Sequence, residues 1–362
     1  MPDTERRLGK LRALLKKDNL EALLVTNFSN VTYLTGFTGD DSYLLVTADN
    51  AVLLTDSRFT TQFEEECPDL DCIIRNYKKK MMDILKQAVG KSKVGRLGVE
   101  SDSMTLSLRD AIAKNLPKVE LEGTSGLVEQ LREIKDAEEV AAIRTAVDLA
   151  EKTMGVIKAS FRPEQTEKQI AADIEHQIRM FGGTGCSFTP IVGVGPRGAL
   201  PHAPLSDHCV GEAGTLLIDW GALTQLYMSD LTRVFITGKI SPKVKRIYDV
   251  VYKAQRAAIN KVKPGVKMCD VDKAARSVIE KAGFGKRFGH GLGHGIGLEI
   301  HEAPRLAITE DRPLKAGMVI TIEPGIYIPG LAGVRLEDDI LVTRNGHEVL
   351  STYPRDFESS IV

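Results

Sequence analysis

The order of apolar and polar positions predicts alternating short strands and helices over the first third of the chain. Leu8, Leu11 and Leu15 recur at helical spacing and predict an amphipathic helix. Apolar and β-branched runs predict strands at 22–26, 43–47, 51–55 and 97–100. Helical periodicity predicts helices at 81–89 and 105–115. This alternation is typical of an α/β domain.

After residue 126 the pattern changes to long helices mixed with strands. Helical periodicity predicts helices at 127–160, 166–180, 243–262 and 269–282. Apolar runs predict a strand that ends near residue 192, a hairpin around Asp219 and two final strands. We place the domain boundary near Gly126, which gives an N-terminal domain of residues 1–126 and a second domain of residues 127–362.

Charged residues are frequent at the start of this second domain. They are Glu133, Lys135, Asp136, Glu138, Glu139 and Arg144. Because a charge run on a helix usually faces water, we interpret this segment as a solvated helix face.

Composition narrows the class of protein. The 362 residues suggest two domains, and the 43% of hydrophobic residues allow a substantial core. A formal net charge of −1 gives no electrostatic reason to expect nucleic-acid or membrane partners. No apolar stretch is long enough to cross a bilayer, and the N-terminus lacks the apolar core of a signal peptide. The five cysteines are scattered without a Cys-x-x-Cys pair, so we expect reduced thiols in a cytoplasmic protein.

The segment 290–302 combines histidines with glycines. Its sequence is His-Gly-Leu-Gly-His-Gly-Ile-Gly-Leu-Glu-Ile-His-Glu, and it holds His290, His294 and His301. Glycine allows a backbone to approach a ligand closely. Histidines beside such a backbone are well placed to ligate a metal or to move a proton.

Four carboxylates lie in apolar runs that predict half-buried strands. They are Asp219, Asp230, Glu323 and Glu337. A buried carboxylate is costly unless it is paired or binds a metal. Four carboxylates with one imidazole suit a divalent ion such as Mn²⁺, Co²⁺ or Zn²⁺. Because this is more ligand than one ion needs, we expect carboxylates that bridge two ions.

A Gly-x-Gly-x-x-Gly pattern at 193–198 offers a different interpretation, a dinucleotide site. Such a site requires the glycines to open a helix. Pro196 and the two prolines that follow argue against a helix here. We therefore set the dinucleotide interpretation aside.

These motifs resemble the pita-bread metallopeptidases, in particular their proline-specific branch of aminopeptidase P and Xaa-Pro dipeptidase (prolidase). The match covers the segment 290–302, Ile-Glu-Pro-Gly-Ile-Tyr around Glu323 and Val-Arg-Leu-Glu-Asp-Asp around Glu337. The five family ligands match in order, and they are Asp219, Asp230, His294, Glu323 and Glu337. The resemblance implies an α/β N-terminal domain of the creatinase/prolidase type, followed by an α+β pita-bread catalytic domain.

The same resemblance implies a dinuclear metal site. It would hold two divalent ions per subunit, with Mn²⁺ expected first and Co²⁺ or Zn²⁺ as alternatives. Asp219 would bind the first ion, and His294 and Glu323 would complete the second. Asp230 and Glu337 would bridge the two. A hydroxide held between the ions would attack the scissile carbonyl, with Glu323 as the proton shuttle.

Five further residues receive roles from the resemblance. His202 and His301 match residues that contact substrate, and His301 would stabilise the tetrahedral oxyanion. His290 would contact substrate or support the metal site. Arg335 would act at the catalytic site or form a plain ion pair. Arg305 would bind the terminal carboxylate of a dipeptide or belong to a surface loop.

Two places in the chain qualify the resemblance. Relatives often carry an asparagine near the position of Arg197 or Gly198, and this chain does not. This difference concerns the loop before His202 and not the metal ligands. Asp56 and Arg58 match a recurring feature of the N-terminal domain, for which we expect a structural role.

The implied function is hydrolysis of the Xaa-Pro bond at the N-terminus of short peptides, as in an Xaa-Pro aminopeptidase. The main alternative is a strict Xaa-Pro dipeptidase. A non-catalytic pita-bread binding protein and a metal-free creatinase-type hydrolase are less compatible with five intact ligands. Arg335 and the long N-terminal domain argue against methionine aminopeptidase. We also expect a homodimer, with peptides that carry proline at the second position as partners.

Overall fold

The computed structural model describes residues 3–362. The chain forms two compact units that divide between Arg132 and Glu133. This division lies six residues beyond the boundary near Gly126 that the sequence suggested. Which segment folds as an independent domain stays a prediction.

The first unit is a mixed α/β structure, as the alternating pattern predicted. Its helices are α1 (Thr4–Lys17), α2 (Phe28–Thr35), α3 (Thr60–Glu66), α4 (Met81–Ser92), α5 (Leu106–Asn115) and α6 (Glu129–Arg132). Its strands are β1 (Ala22–Val25), β2 (Tyr43–Thr47), β3 (Ala51–Asp56), β4 (Asp71–Arg75), β5 (Arg96–Glu100) and β6 (Glu120–Thr124). The strands form one sheet in the order β4-β3-β2-β1-β5-β6.

Apolar faces explain why these segments fold together. Leu11 and Leu15 of α1 are buried, as the helical spacing predicted. Strand β1 is buried at all four positions and pairs antiparallel with β2 and parallel with β5. At the end of β3, Asp56 accepts a hydrogen bond of 2.6 Å from Arg58. The Arg58 guanidinium lowers the pKa of Asp56 to about 2, which supports the structural role expected for this pair.

The second unit contains four helices and thirteen strands within the described residues. The helices are α7 (Ala137–Ala159), α8 (Glu167–Met180), α9 (Pro242–Ile259) and α10 (Met268–Lys281). The strands up to the histidine segment are β7 (Gly185–Cys186), β8 (Ile191–Val194), β9 (Thr215–Trp220), β10 (Ala222–Thr224), β11 (Tyr227–Met228) and β12 (Leu231–Ile236). The later strands are β13 (Gly293–Gly295), β14 (Glu302–Leu306), β15 (Val319–Ile322), β16 (Gly325–Ile328), β17 (Ala332–Arg335), β18 (Asp338–Val342) and β19 (His347–Val349).

Two sheets of this unit carry the candidate site. One has the order β12-β9-β8, and the other has the order β14-β13-β15-β18-β19. A single bridge between Thr232 and Glu337 connects strand β12 to the turn before β18. Buried apolar side chains of α9 and α10, among them Val251 and Val271, pack into the core with Ile320 and Ile340 of the second sheet. Leu217 and Val234 of the first sheet belong to the same core, which therefore packs against both sheets.

The predicted continuous helix at 127–160 is interrupted, and its charges do not all face water. Residues 133–136 separate α6 from α7, and Asp136 caps α7 in a reciprocal arrangement with Glu139. Glu133, Lys135 and Glu139 are only 4%, 5% and 3% exposed. The interpretation as a solvated face is wrong for these three, because their side chains pack against the polar partners Arg312, Glu302 and Tyr227.

The glycine pattern at 193–198 opens no α-helix. Gly195–Ala199 forms one short 3₁₀ turn, in which Pro196 is the second residue. This agrees with setting the dinucleotide interpretation aside, since a pyrophosphate site requires a longer helix start.

None of the helices within residues 3–362 combines the length and apolar character that spanning a bilayer requires.

Candidate metal centre

Three of the five predicted ligands converge on one point. Asp230, His294 and Glu337 each offer one ligand atom, and these atoms lie within 4.8 Å of one another. Glu323 joins them, since its Oε1 lies 3.5 Å from His294 Nε2. Asp219 on β9 pairs with Thr232 on β12. Thr232 follows Asp230 by two residues in the sequence. The structure thus brings the five residues of the sequence motifs into one site.

The carboxylates lie at strand ends more often than inside strands. Asp219 is within β9, as predicted. Asp230 directly precedes β12, and Glu323 directly follows β15. Glu337 lies between β17 and β18. Strand ends free the backbone from the regular ladder, which allows carboxylates from separate strands to turn towards one point.

The hydrogen bonds of His294 fix which ring nitrogen carries the proton. Nδ1 lies 3.1 Å from the carbonyl oxygen of Gly295, which only accepts, so Nδ1 holds the proton. Nε2 then presents its lone pair towards Asp230 Oδ2 at 3.6 Å and Glu323 Oε1 at 3.5 Å. Burial lowers the pKa of His294 to about 4, which keeps the imidazole neutral. Acceptor atoms that face one another in this way match a cation site.

Burial and mutual repulsion act together on the carboxylates. Burial, and then the neighbouring carboxylates, raise the pKa of Asp230 and of Glu337 well above the usual range. Burial raises the pKa of Glu323 to about 8. Asp219 Oδ1 and Asp230 Oδ1 are buried and have no hydrogen-bond partner within the described residues. Unpartnered buried oxygens beside a neutral imidazole fit a divalent metal, which would satisfy them directly.

Close backbone approach is required where His294 enters the site. A side chain at Gly293 would place its Cβ 2.1 Å from the carbonyl oxygen of Thr321. The absence of a side chain lets β13 lie against β15, where His294 N donates to Thr321 Oγ1 at 3.1 Å. The glycine spacing of the segment 290–302 is therefore needed for the position of the ligand.

Arg335 holds the carboxylates from behind. Its Nη2 donates to Asp219 Oδ2 at 2.5 Å and its Nε donates to Thr232 Oγ1 at 3.0 Å. Thr232 in turn donates to Glu337 Oε2 at 2.6 Å. Sequence reasoning identified Arg335 but missed Thr232. The sequence signal that could have found Thr232 is the alternation of side chains along a strand. Thr232 follows Asp230 by two positions, so the two side chains are expected on the same face.

Tyr327 connects Arg335 to His290. Arg335 Nη1 lies 3.0 Å from the Tyr327 hydroxyl, and that hydroxyl lies 2.9 Å from His290 Nε2. Nδ1 of His290 lies 2.7 Å from the carbonyl oxygen of Gly291 and so carries the proton. Burial lowers the pKa of His290 to about 4. His290 thus accepts from Tyr327, the last residue of the matched motif around Glu323, to which sequence reasoning gave no role.

The remaining predicted residues surround the open side of the site. The His301 ring packs edge-on against the His294 ring, with centroids 4.4 Å apart. His301 is exposed, and burial of part of its ring lowers its pKa. His202 lies on the loop after the 3₁₀ turn, close enough to add to the lowered pKa of His301. Arg305, on β14, is exposed.

The predicted site residues line a cavity of about 1450 Å³. Its lining includes the four predicted carboxylates, which are Asp219, Asp230, Glu323 and Glu337, and the histidines His202, His290, His294 and His301. Phe188, Ile191 and Leu205 add apolar surface. The cavity is large enough for a short peptide.

Comparison with known sequence families agrees with this geometry. Residues 141–344 match metallopeptidase family M24, and residues 7–134 match the creatinase/prolidase N-terminal domain. The chain belongs to metallopeptidase family M24. It is a hydrolase with a pita-bread catalytic domain that follows a creatinase/prolidase N-terminal domain, as the resemblance implied.

Individual M24 relatives extend along nearly the whole chain. The Xaa-Pro dipeptidase of Pyrococcus horikoshii is 34% identical over 351 residues, which cover 97% of this chain and 98% of that protein. The solved Xaa-Pro dipeptidase from Bacillus anthracis is 35% identical with a TM-score of 0.96 and covers 99% of this chain and 100% of its own. The X-Pro aminopeptidase structure from Thermotoga maritima is 36% identical with a TM-score of 0.88 and covers 95% of this chain and 98% of its own.

Proposed function

We propose that this M24 metallopeptidase hydrolyses the Xaa-Pro bond at the N-terminus of short peptides. The observation that carries the proposal is the neutral imidazole of His294, which faces Asp230 and Glu323 across 3.5–3.6 Å in a peptide-sized cavity. Relatives named for action on Xaa-Pro or X-Pro peptides support the substrate class. The bond before proline is a tertiary amide, which calls for a specialised enzyme.

The proposed site holds two divalent ions, and Mn²⁺ is the expected metal. Its ligands are Asp219, Asp230, His294, Glu323 and Glu337. The ligand oxygens outnumber the single nitrogen, which suits a hard or borderline ion. The ions, when bound, supply polarisation of the scissile carbonyl and a water that loses its proton near neutral pH.

Glu323 moves the proton in this proposal. It lines the cavity, and its side chain is 17% exposed, so a peptide or a water is able to reach it. It takes the proton of the attacking water and passes it to the prolyl nitrogen as the C–N bond breaks. The hydroxyl remains on the new carboxyl group, so one water is consumed for each bond.

His301 and His202 bind the substrate in this proposal. His301 lies beside His294 at the open side of the site, where it is able to donate a hydrogen bond to the carbonyl oxygen as charge develops. His202 lies on the facing loop that lines the cavity. Arg335 fixes Asp219 through its bond of 2.5 Å and does not need to contact the peptide. His290 supports the site through Tyr327.

A strict Xaa-Pro dipeptidase is the second candidate, and Arg305 favours it. Arg305 lines the cavity, and its side chain is exposed. A guanidinium at this position is suited to a terminal carboxylate. The relatives include proteins named as dipeptidases as well as an X-Pro aminopeptidase, which leaves the preferred substrate length open.

One experiment tests the function and its alternative together. Metal-depleted protein receives Mn²⁺, Co²⁺ or Zn²⁺, and rates are measured on Ala-Pro, Ala-Pro-Ala-Ala and the control Ala-Ala-Ala-Ala. We expect metal-dependent cleavage of both proline peptides and little cleavage of the control. Cleavage of Ala-Pro alone selects the dipeptidase. Equal rates on the control, or full rates without added metal, contradict the proposal.

Two further parts of the proposal concern location and assembly. The five cysteines are free, which is typical of a reducing compartment, and we propose that the protein is cytoplasmic. We propose a homodimer from the resemblance to the family. Light scattering of the purified protein tests the dimer, and a monomer at micromolar concentration contradicts it.

A further inference from the structure

A buried ion pair links the segment before α7 to the loop that carries His301. Lys135 Nζ lies 3.0 Å from Glu302 Oε2, and the two side chains are 1% and 5% exposed. Glu302 directly follows His301, whereas Lys135 is distant in sequence. Lys135 belongs to the charged segment that sequence reasoning assigned to a solvated face. A buried pair of this kind is costly to form, so its position calls for an explanation.

The loop from 297 to 302 closes around the Glu302 carboxylate. Glu302 Oε1 accepts a hydrogen bond of 3.0 Å from Glu299 N, and Gly297 N donates to the Glu299 carbonyl at 3.2 Å. A side chain at Gly297 would place its Cβ 2.8 Å from Glu302 Oε2, so the loop backbone lies directly on the carboxylate. One carboxylate thus holds both the start and the end of the loop.

The other end of the ion pair is fixed as well. Lys135 N donates to the carbonyl oxygen of Gly317 at 2.8 Å, which ties its backbone to the segment before β15. The lining of the cavity includes Glu302 but, within the described residues, not Lys135. Lys135 therefore acts on the site from behind the cavity wall, with its charge directed at the loop.

His301 has few contacts of its own to define its position. It is exposed, and its one ring contact within the described residues is the edge-on packing against His294. A donor that must meet an oxyanion needs a placement within a fraction of an ångström. The backbone on each side of His301 must supply this precision, and Glu302 is its immediate neighbour.

We propose that Lys135 and Glu302 are positioning residues that fix the loop 297–302 and, through it, His301. The inference rests on the proposed function, because it takes His301 to act on the transition state. Neither residue contacts substrate in this account. Their effect is exerted through the backbone of the loop, and its loss displaces His301 without altering the metal ligands.

The test compares five variants on a metal-loaded Ala-Pro assay. Lys135→Met should lower kcat about tenfold or more while KM stays within about twofold. Lys135→Arg keeps the charge and should recover most of kcat. In a His301→Ala background, Lys135→Met should cause less than about a twofold further loss, because the group it positions is already missing. Lys245→Met, which removes a half-exposed pair with Asp249 on α9, is the matched control and should leave kcat unchanged.

A double variant separates positioning from stability. Lys135→Met alone removes the cation from beside a buried carboxylate and should lower the melting temperature. Lys135→Met combined with Glu302→Gln removes that charge, so the melting temperature should recover while kcat stays low. If kcat recovers together with stability, the pair is structural and the inference is wrong. If Lys135→Met does not fold, the inference is tested with the double variant and with Glu302→Gln alone.

Hydrogen exchange provides a measurement that does not depend on activity. Amides of 297–302 should exchange faster in the double variant than in the wild type, with the other cavity segments unchanged. Unchanged exchange in this loop, or fully additive losses in the His301→Ala background, overturns the inference. Failure of the metal-loaded wild type to cleave any proline peptide overturns the proposed function instead, and the exchange comparison still decides whether the pair holds the loop.

Discussion

The hydroxyl group of Thr232 forms two hydrogen bonds behind the candidate metal centre. It accepts from Arg335 Nε at 3.0 Å and donates to Glu337 Oε2 at 2.6 Å. The donated proton leaves the other lone pairs of the Glu337 carboxylate available to a metal. The orientation of this ligand is therefore determined by a residue that binds no metal itself.

Replacing Thr232 with valine should weaken metal binding without changing the shape of the site. The hydroxyl is lost and the volume is kept, so Mn²⁺ affinity should fall about 10- to 100-fold, measured by calorimetric titration. Thr153→Val is the matched control, because the Thr153 hydroxyl is buried and has no partner within the described residues. An affinity of Thr232→Val within twofold of the wild type would show that Glu337 needs no such support.

His301 should affect turnover more than binding. It lies at the open side of the site beside His294, where negative charge would develop on the substrate in the proposed reaction. His301→Ala should lower kcat about 100-fold with little change in KM, measured on Ala-Pro under metal saturation. A variant that raises KM alone would assign His301 to ground-state binding.

Cys67 gives a pH-dependent prediction in the first unit. Burial raises the pKa of its thiol from 9.0 to about 11, and Sγ donates to the Thr35 carbonyl. The native state favours the protonated thiol, so this contribution to stability is present below pH 9 and is lost as the pH rises through about 11. Iodoacetamide at pH 8 should label Cys67 about 100-fold more slowly in native than in unfolded protein. Comparable rates would mean that the thiol is accessible.

At the scale of elements, one carboxylate at the start of α8 holds both ends of the His202 loop. Glu167 Oε1 accepts from Val194 N at 2.9 Å and from Arg197 Nε at 2.8 Å. Glu167 Oε2 accepts from Ser206 N at 3.0 Å. Arg197, which lies near the position where relatives often carry asparagine, is thus a partner of a fully buried carboxylate.

Removing this carboxylate should cost stability. Glu167→Ala removes the carboxylate that Arg197 and the amides of Val194 and Ser206 share, and the free energy of unfolding should fall by about 3 kcal/mol. Urea denaturation provides the measurement. Lys168→Ala, the next residue on the helix, breaks an exposed pair with Asp207 and should cost less than about 1 kcal/mol. Similar losses in the two variants would contradict the account of the loop.

The sequence predicted elements well and their interruptions poorly. The periodicity around Leu11 and the alternation near Asp219 gave α1 and the β9 hairpin, because each depends on local pattern. The break at 133–136 was missed, since burial of Lys135 depends on Glu302, a partner distant along the chain. Local pattern contains no information about such partners.

The site was predicted through its motifs and not through its geometry. Motif order singled out the candidate ligands, including Asp230 and His294, which the structure brings together. Thr232 and Tyr327 were missed, because a threonine in a strand and a buried tyrosine are common in any core. Their roles follow from distances to Arg335, which only the folded chain reveals.

At the scale of the whole molecule, the cavity and all predicted site residues lie within residues 133–362. The candidate ligands come from β9, β13 and the ends of β12, β15 and β18, so the site forms only when two sheets are assembled. Bound metal should therefore stabilise the folded chain, by about 2.7 kcal/mol at 100 times the dissociation constant.

Metal binding and turnover in Asp230→Ala, compared with the wild type, test the central claim most directly. Asp230 belongs to the cluster within 4.8 Å and would bridge both ions. The account predicts two Mn²⁺ per wild-type chain by calorimetry and mass spectrometry, with cleavage of Ala-Pro that follows occupancy. It predicts that Asp230→Ala loses at least one ion and nearly all turnover. Near-wild-type cleavage by metal-reloaded Asp230→Ala would contradict the account.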